Sequence, residues 1–308
     1  MGIVVIGAIF VDIKGYPEDV FIPTGRNVGR VEHVHGGVCR NVAEDIANVE
    51  LRPTFVSLVD DSGEGADVIR KLNNHLVDTR YIRTVRDGMG TWLAVFDNDG
   101  DVVASISKRP DLRPICDILD QQGDEIFQNA PSVVVEIDMD KDIIKRVFRL
   151  AQKHGTKVYA MVSNMSIAVE RRDFLQQTDC FICNLQEAGM LFSDNYMDKS
   201  AAEMQQILAE KVSRARIKQM IVTMGPDGAV FASQDGSSGF CPARQVNVKD
   251  TTGAGDAFCA GAAIGLTYGK TLAEACEIGA HLAASVIVTS ENVCPRFLPS
   301  EFGLEIHA

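Results

Sequence analysis

A carboxylate follows a run of small residues where a strand-like segment passes into an apolar, helix-forming one. The run is Asp250-Thr-Thr-Gly-Ala-Gly-Asp256, and its glycines lack the Cβ atoms that would hinder a tight turn. We expect the amide N–H groups of Gly253, Ala254 and Gly255 to point outward at a helix N-terminus, where they and the helix dipole attract an anion. Asp256 is then placed to accept the proton of a hydroxyl group while the amides stabilise developing charge. This arrangement suits transfer of a phosphoryl group to an alcohol.

A purely structural interpretation of the same run is also open. Asp250 or Thr252 would cap the helix, and the glycines would allow neighbouring chain segments to pack closely. The full string continues through Ala257 and Phe258 and is more specific than a pair of glycines. The chemical interpretation is therefore preferred.

Residues near the start of the chain are suited to bind the hydroxyl groups of an acceptor. Gly36 and Gly37 precede a predicted helix and would bring the backbone close to a ligand, with Asn41 hydrogen-bonding its hydroxyls. Asp12 follows the first predicted strand, and ligands in open α/β sheets bind beyond this end of the strands. The alternatives are an ordinary glycine turn and an Asp that caps a loop.

Two later segments are suited to bind a nucleotide and its metal ion. Asn184 and Glu187 supply oxygen atoms that suit Mg²⁺ and its waters. Taken alone, this pair also predicts a helix N-cap with a capping-box Glu. Thr223, Gly225 and Gly228 are suited to a nucleotide-binding turn, and in isolation they predict a hairpin turn.

The elements that position these residues alternate between strands and helices, which predicts an α/β fold of three layers, α/β/α, with a mostly parallel central sheet. Residues 14–35 and 90–107 break the alternation and predict a small β-sheet lid, with a hairpin turn at Asp97–Asp101. Two surface excursions are the alternative. The predicted strands are Ile3–Ile9, Thr54–Val59, Ser132–Ile137, Lys157–Val162, Cys180–Cys183 and Met220–Thr223, and the predicted helices are Val38–Val49, Ala66–Leu76, Lys141–His154, Ser200–Ala215, Ala254–Leu266 and Thr271–Val286.

Four of these segments together resemble the ribokinase-like (PfkB) carbohydrate kinase family. Asp250–Asp256 is similar to the family's C-terminal signature and Gly36–Ala43 to its N-terminal signature. Asn184–Glu187 resembles its Asn-x-x-Glu motif, and Thr223–Gly228 its strand-to-turn nucleotide segment. The resemblance extends over nearly the whole chain, with the motifs in the family's order, and implies one kinase domain over residues 1–308.

The resemblance implies ATP-dependent phosphorylation of a primary hydroxyl and a role for each candidate residue. Catalysis is assigned to Asp256, Gly253, Ala254 and Gly255; acceptor binding to Asp12, Gly36, Gly37, Arg40 and Asn41; and nucleotide binding to Asn184, Thr223, Gly225, Gly228 and Thr252. Mg²⁺ is assigned to Glu187 through water, and a monovalent cation such as K⁺ to Asp250, Thr252 and Val286–Asn292. The family also implies a homodimer formed through the lid.

Within the family the chain most resembles pseudouridine kinases, through Asp12–Tyr16 and the pair Arg40–Asn41. Arg40 either projects towards a base or carboxylate, or pairs with Glu44 on the same helix. Phe10 and Met161 replace polar residues that many members carry, which favours pseudouridine or a related ribosyl compound over a polyhydroxylated hexose. A ribokinase-, fructokinase- or 2-keto-3-deoxygluconate-type kinase and a non-catalytic nucleotide or sugar sensor are the alternatives, and retention of Asp256 favours an enzyme.

Composition and charge exclude several other classes. The 308 residues are 46% hydrophobic and 23% charged, as in globular proteins. The net charge of −12 disfavours a nucleic-acid partner. No run reaches the roughly 18 apolar residues of a membrane span, and no leader is evident, so we expect a cytoplasmic protein. The eight cysteines are expected to be reduced core residues.

Three patterns resemble other kinds of site but lack their requirements. Gly265–Thr271 is one residue short of a phosphate-binding P-loop and follows a helix, so its second glycine predicts a helix stop. His33 and His35 lack an evident third metal ligand. Cys180 and Cys183 lie in a predicted strand, where residues three apart face opposite sides. The glycine fingerprint of an NAD-dependent dehydrogenase is absent.

Overall fold

The computed structural model describes residues 2–98, 101–169 and 172–305. In this part of the chain, the strands are β1 (Val4–Ile6), β2 (Phe10–Pro17), β3 (Gly29–Gly36), β4 (Thr54–Val59), β5 (Ile82–Thr84), β6 (Gly90–Phe96), β7 (Val102–Lys108), β8 (Ser132–Glu136), β9 (Lys157–Met161), β10 (Cys180–Asn184), β11 (Gln219–Thr223), β12 (Ala229–Ser233) and β13 (Ser238–Cys241).

The helices of the same part are α1 (Val38–Asn48), α2 (Gly63–Asn74), α3 (Pro114–Phe127), α4 (Lys141–His154), α5 (Met165–Ala168), α6 (Arg172–Leu175), α7 (Leu185–Phe192), α8 (Ala201–Ala215), α9 (Ala254–Thr267) and α10 (Leu272–Ile287). Short 3-10 helices span Gly225–Asp227 and Pro299–Phe302.

The main sheet has nine strands in the order β13-β12-β11-β10-β9-β8-β1-β4-β5. In this spatial order, the strands from β11 across the sheet to β5 run parallel to one another, whereas β12 and β13 are antiparallel to their neighbours. The central strands are runs of Val, Ile and other apolar residues, as expected where helices cover both faces of a parallel sheet. Their carboxyl ends meet at one edge, where the candidate residues lie.

Helices cover the main sheet on both faces and form two apolar cores. One core contains residues of α1, α2, α9 and α10, and the other contains residues of α3, α4, α7 and α8. Cys180 belongs to the first core and Cys183 to the second, so the two thiols face opposite sides of β10 as predicted. The predicted three-layer α/β/α fold is confirmed.

Helices α9 and α10 pack closely against each other. A Cβ atom on Gly261 of α9 would come within 2.7 Å of the Gly279 backbone in α10. The two helices therefore approach as closely as backbones allow, which fixes the position of α9 against α10. Gly269, with a φ of 75°, ends α9 as the predicted helix stop.

A second, smaller sheet has the strand order β3-β2-β6-β7. Strands β2 and β6 are parallel, and the two outer pairs are antiparallel. The predicted hairpin joins β6 to β7, and the Asp97 N–H donates to the Asp101 carbonyl at 2.9 Å. Residues 99 and 100 of the predicted turn lie outside the described residues.

The first predicted strand, Ile3–Ile9, is wrong in its length. Strand β1 ends at Ile6, and the small sheet already begins at Phe10 instead of near residue 14. Asp12 therefore lies within β2 and not at the end of the first strand. The chain leaves the main sheet at Gly7, where a Cβ atom would lie 2.6 Å from the Glu136 carboxylate and the Cys39 sulfur.

Most other boundaries agree within a few residues, and α4 agrees at both ends. The helix predicted over Ala66–Leu76 begins earlier because Ser62 caps it by accepting the Gly65 N–H. Helix α3 was not predicted; it has Pro114 at its first position, and its Gly123 packs against Leu150 of α4. No helix in the described ranges is both long and apolar enough to cross a membrane.

Candidate active site

Asp256 lies in the first turn of α9 at the carboxyl edge of the main sheet. Gly253 precedes the helix with a φ of 82°, a left-handed conformation that favours glycine. A Cβ atom there would also lie 2.1 Å from the Asn292 carbonyl oxygen. The glycine that the sequence assigned to a tight turn is thus required by both backbone conformation and space.

The three amides assigned to an anion site do not all point outward. The Ala254 N–H donates to the Thr251 carbonyl at 3.2 Å and closes a turn, which corrects its assignment as an outward donor. The N–H groups of Gly255 and Asp256 belong to the first helical turn, which has no preceding carbonyls to accept them. A Cβ atom on Gly255 would meet no neighbouring atom within 4 Å, so the space beside this turn is open to an anion.

The side chain of Asn41 contacts the carboxylate of Asp256. Its Nδ2 atom donates to Asp256 Oδ2 at 2.6 Å, although the two residues are 215 positions apart in the chain. Asn41 was expected to bind acceptor hydroxyls, but in this structure its amide is committed to the proposed base. It therefore orients Asp256.

The environment of Asp256 suits a base that works near neutral pH. The pKa of Asp256 is raised to about 6, chiefly by burial; the nearby Asp12 and Glu187 carboxylates also raise it, whereas the hydrogen bond from Asn41 and the charge of Arg40 lower it. A carboxylate with such a pKa is ionised at pH 7 and is a stronger base than an exposed Asp.

Asp12 lies beside the glycine pair of the N-terminal motif. A Cβ atom on Gly36 would come within 2.5 Å of the Asp12 carboxylate, and one on Gly37 within 2.6 Å of the Ala8 carbonyl. The glycines thus bring the start of α1 against the strand that carries Asp12. Burial raises the pKa of Asp12, while the positive charges of Lys14 and Arg40 lower it.

Arg40 is buried and bonded within the protein. Its guanidinium pairs with Glu44 and donates to the His35 carbonyl, and it lies 3.4 Å from Asn292 Oδ1. The side chain is 1% exposed. Of the two interpretations that the sequence left open, the pairing with Glu44 is the one observed, and Arg40 does not present its charge to an acceptor in this structure.

Asn292 links three parts of the site, and from the sequence it was expected only as the end of the candidate cation segment Val286–Asn292. Its Nδ2 atom donates to the His35 carbonyl at 2.8 Å, at the end of β3, and lies 3.4 Å from Asn41 Oδ1. Its own carbonyl packs on Gly253. No local pattern marks this residue, because each of its contacts is distant in sequence.

Asn184 and Glu187 form a reciprocal capping box at the start of α7. The Asn184 Oδ1 atom accepts the Glu187 N–H at 2.8 Å, and Glu187 Oε2 accepts the Asn184 N–H at 2.8 Å. Burial raises the pKa of Glu187, and the charge of Asp138 raises it further, against the lowering effect of the Asn184 N–H. The helix cap that the sequence offered as the structural alternative is therefore present. It uses one carboxylate oxygen of Glu187 and leaves the other oxygen at the edge of the sheet.

The predicted nucleotide turn follows the neighbouring strand. Thr223 ends β11 directly beside Asn184, its registered partner on β10. Gly225 and Gly228 have φ values of 58° and 96°, and a Cβ atom on Gly228 would lie 2.2 Å from the Cys241 carbonyl. The turn leads into β12 as a hairpin, and its backbone borders the same sheet edge as Asp256.

A cavity of about 300 Å³ opens where the small sheet meets the carboxyl edge of the main sheet. Phe10, Arg109, Glu136 and Asp138 are among its lining residues, and only Phe10 was considered from the sequence. Glu136 accepts the N–H groups of Cys39 at 3.1 Å and of Ala8 at 3.4 Å, and burial beside Asp138 raises its pKa. A carboxylate at the carboxyl end of the otherwise apolar β8 was the available signal for this wall.

Nearly the whole chain matches one known family. The pattern of the pfkB family carbohydrate kinases covers residues 2–299. This chain belongs to the pfkB family. The resemblance carried by the four motifs is thereby confirmed, and the protein is an ATP-dependent kinase of sugars or nucleosides.

Relatives of this pfkB-family kinase act on different acceptors. A guanosine-inosine kinase from Exiguobacterium acetylicum is 31% identical and aligns over 94% of this chain and 95% of its own length. A pseudouridine kinase from Escherichia coli (strain K12) is 25% identical, with 88% and 86% aligned. The structure of Arabidopsis thaliana ribokinase complexed with ribose and ATP superimposes with a TM-score of 0.82 at 21% identity, covering 98% of each chain. The motifs indicated pseudouridine kinases, but the guanosine-inosine kinase is the more similar of these two relatives.

The donor atoms of this pfkB-family site fit Mg²⁺ that arrives with ATP. Within the described ranges, no cluster of three His, Cys, Asp or Glu residues is arranged to hold a metal ion. Mg²⁺ is typically held by one or two carboxylates together with substrate phosphates and water. Glu187, with one oxygen in the capping box and a second at the sheet edge, matches that requirement.

The segment assigned to a monovalent cation does meet Asp250. The N–H groups of Lys249 and Asp250 donate to the Ile287 carbonyl at 2.7 and 3.3 Å, and Asp250 Oδ1 accepts the Thr252 N–H at 2.8 Å. Burial raises the pKa of Asp250, but the Thr252 N–H and the charge of Lys14 bring it below its usual value. These oxygen atoms suit K⁺ in kind, although several already accept hydrogen bonds.

The patterns set aside in the sequence have structural partners. His33 Nδ1 contacts Glu64 at 2.5 Å and His35 Nε2 contacts Asp67 at 3.2 Å, so both histidines join β3 to α2. The eight cysteines, all in the described part of the chain, are free thiols.

Proposed function

We propose that this protein transfers the γ-phosphoryl group of ATP to the primary hydroxyl of the ribose in a ribonucleoside, with a purine nucleoside such as guanosine or inosine as the first candidate. The observation that carries the acceptor class is the 31% identity to a guanosine-inosine kinase along almost the full length of both chains. The apolar residues Phe10 and Met161 support it, because they offer little to the extra hydroxyls of a hexose.

Asp256 is the proposed base. Its carboxylate accepts the proton of the primary hydroxyl as the oxygen attacks the γ-phosphorus, and the bond to the ADP leaving oxygen breaks. Asn41 holds the carboxylate through the 2.6 Å hydrogen bond. The N–H groups of Gly255 and Asp256, at the positive end of α9, offset the charge of the phosphoryl group.

The nucleotide is proposed to lie along the edge formed by the ends of β10 and β11. Thr223, Gly225 and Gly228 border it there, Thr252 contacts its phosphates, and Asn184 fixes Glu187. Mg²⁺ bound with ATP would neutralise phosphate charge, with Glu187 holding its waters.

The acceptor is proposed to lie between Asp12 and the glycine pair. The Asp12 carboxylate accepts hydrogen bonds from two neighbouring ribose hydroxyls, and Gly36 and Gly37 leave room for the sugar. Arg40 contributes from within the protein, since its charge lowers the pKa of both Asp12 and Asp256. Binding energy from these hydroxyls aligns the primary hydroxyl with the γ-phosphate.

An acceptor screen tests the proposal. ADP release is measured with guanosine, inosine, adenosine, pseudouridine, ribose, fructose and 2-keto-3-deoxygluconate at equal concentrations. We expect kcat/KM for at least one ribonucleoside to exceed that for every free sugar. Turnover of free ribose or fructose far above that of any nucleoside would contradict the nucleoside proposal while leaving the kinase activity intact.

Pseudouridine is a second candidate acceptor. It is favoured by the segment Asp12–Tyr16, by the pair Arg40–Asn41 and by the 25% identity to a pseudouridine kinase. The same screen decides between the two, because a purine nucleoside kinase and a pseudouridine kinase differ in their best substrate.

A monovalent cation near Asp250 is proposed to support the anion site. We expect higher kcat in K⁺ than in a bulky organic cation at the same ionic strength. Equal activity in both salts would remove this proposal and leave the assignment of Asp256 untouched.

The small sheet is proposed to act as a lid over the acceptor and as the contact surface of a homodimer. Val31, Leu93 and Ile106 are exposed on its strands, with exposed fractions of 65%, 41% and 70%. Leu93 of β6 and Ile106 of β7 are direct cross-strand partners. The pairing of β2 with β3 on one side and with β6 on the other places Val31 on the same face of the sheet as these two residues. Such an apolar face supports a protein partner, here a second copy of the chain.

The free cysteines support a reducing compartment, the cytoplasm.

A further inference from the structure

The cavity beside the small sheet has one flat, apolar wall. The ring of Phe10 lies directly over Gly90, since a Cβ atom there would come within 2.5 Å of three ring carbons. The ring therefore cannot shift towards the sheet, and its position is set by the backbone of β6. A fixed aromatic ring suits stacking of a planar base.

Arg109 lines the same cavity, directly after β7. Its Nη2 atom donates to Asp138 Oδ2 at 3.0 Å, and its side chain is 43% exposed while that of Asp138 is 2% exposed. Asp138 is itself fixed, because it accepts the N–H and the hydroxyl of Ser163 at 3.0 and 2.9 Å. The guanidinium is thus anchored through one nitrogen and keeps further N–H donors for a ligand.

A guanidinium fork matches two adjacent acceptors on a planar ring. The O6 and N7 atoms of a 6-oxopurine form such a pair, and Arg binds them in a bidentate manner. Guanosine and inosine share both atoms, whereas adenosine has an amino group at position 6. Pseudouridine has no N7.

We infer that Arg109 recognises the base and selects 6-oxopurine ribonucleosides, with Phe10 as the apolar wall against which the base packs. This inference rests on the proposed ribonucleoside kinase activity and names the substrate class of that site. Asp138 is the positioning residue that holds the guanidinium at the rim of the cavity.

Single-atom changes in the substrate test the contact. The kcat/KM of the wild-type enzyme is measured for inosine, for 7-deazainosine, in which N7 is replaced by C–H, and for purine riboside, which lacks O6. We expect inosine to exceed each analogue by about ten- to a hundredfold, the discrimination typical of a bidentate contact. Equal kcat/KM for inosine and both analogues on the wild type overturns the inference without any variant.

Two variants assign the preference to Arg109. In Arg109→Gln, and in Arg109→Lys, which keeps the charge but loses the fork, the ratio of inosine to 7-deazainosine is expected to fall towards one. Arg149→Gln is the matched control, because Arg149 also contacts an Asp through Nη2, at 3.2 Å, but on the surface between α3 and α4. Its ratio should equal that of the wild type.

Each other outcome contradicts the inference in a distinct way. If Arg109→Gln lowers turnover of inosine and 7-deazainosine equally, Arg109 acts on the phosphates or the fold and not on the base. If turnover of both substrates and their ratio are unchanged in Arg109→Gln, another group recognises the base. If the wild type phosphorylates sugars but no nucleoside, the proposed function fails and this inference fails with it.

Discussion

Asp256 combines two properties that rarely occur together on a surface Asp. Desolvation makes it a better base, and the 2.6 Å hydrogen bond from Asn41 keeps it oriented and ionised at neutral pH. Two further carboxylates, Asp12 and Glu187, raise its pKa from the sides proposed for the acceptor and the nucleotide. Burial, Asp12 and Glu187 raise the pKa of Asp256, whereas Asn41 lowers it. A change at any one of these residues is therefore expected to move this pKa in a predictable direction.

Removing the base separates catalysis from binding. Asp256→Asn is expected to lower kcat by about 10²- to 10⁴-fold, the usual contribution of general base catalysis. Nucleoside binding should persist, and it is measured through the fluorescence of Trp92, the chain's one tryptophan, which lies beside Asp12 on the small sheet. Unchanged turnover in this variant would contradict the catalytic assignment.

Stability measurements on the same variant control for damage to the fold. The pKa of Asp256 is raised from 3.8 to about 6 on folding. The folded state therefore binds the proton more tightly, and ionisation costs stability above pH 6. Asp256→Asn removes this cost, so its Tm at pH 8 should be no lower than that of the wild type.

The pH dependence of turnover reports the same carboxylate. We expect kcat/KM to fall about tenfold per pH unit below a pKa of about 6, because protonated Asp256 cannot accept a proton. Asn41→Ala removes a hydrogen bond that lowers this pKa, so its acid limb should move to higher pH. A limb that stays in place or moves to lower pH would show that Asn41 does not act on the base.

At the scale of elements, the site depends on where three segments meet. The end of β3, the start of α1 and the segment after α10 join around Asn292, whose carbonyl also packs on Gly253. The end of β3 is thereby connected to Asn41 and, through Asn41, to Asp256. We expect Asn292 to position Asp256 through these contacts.

Loss of this junction should affect turnover more than nucleotide binding. Asn292→Ala leaves Arg40 as the remaining side-chain donor to the His35 carbonyl and leaves Asn41 Oδ1 without its partner. We therefore expect kcat to fall about tenfold, consistent with the roughly 1–3 kcal/mol cost of an unsatisfied buried group. KM for ATP should stay within about twofold, since Asn292 contacts neither Asn184 nor Thr223. Steady-state kinetics with each substrate varied in turn measures both constants.

Asn48→Ala provides a matched control for that experiment. Asn48 is also a buried amide, on α1, and its Nδ2 donates to the Cys294 carbonyl of the same segment at 2.6 Å. It does not contact Asn41 or Asp256. A comparable loss of Tm with unchanged kcat is expected for Asn48→Ala, and an equal loss of kcat in both variants would reduce Asn292 to a structural role.

For the whole molecule, the small sheet presents two different faces. The face that carries Asp12 and Trp92 turns to the site, whereas the face that carries Val31, Leu93 and Ile106 is exposed and apolar. A sheet of four strands that projects from the main body gains stability if a partner covers its apolar face.

Charge placed on that face should prevent dimer formation. Light scattering after size-exclusion chromatography is expected to give twice the monomer mass of 33.5 kDa for the wild type and the monomer mass for Leu93→Lys combined with Ile106→Lys. Met197→Lys is the control, because Met197 is 62% exposed and lies away from the small sheet. A wild type that is monomeric at micromolar concentration would contradict the proposed dimer.

Several features could be predicted from the sequence because their signals are local. The family follows from four short motifs, and the α/β fold follows from apolar runs that alternate with helical patterns. The capping box at Asn184 and Glu187, the left-handed turn at Gly253 and the helix stop at Gly269 each depend on a few consecutive residues. Backbone sterics and local hydrogen bonds act over the same short range, so these features could be predicted from the sequence without knowledge of the tertiary structure.

The contacts that organise the site were decided by the tertiary structure alone. Asn41 meets Asp256 across 215 residues and Asn292 meets His35 across 257, and no local pattern specifies which distant side chain completes a hydrogen bond. The same holds for Arg40. Its sequence context does not decide between projection towards a ligand and pairing with Glu44, and the structure shows it buried beside Glu44. The four local motifs together determined that this protein belongs to a family of kinases, whereas the packing of the small sheet against the main sheet decided which side chains, Phe10 and Arg109 among them, line the cavity between the two sheets.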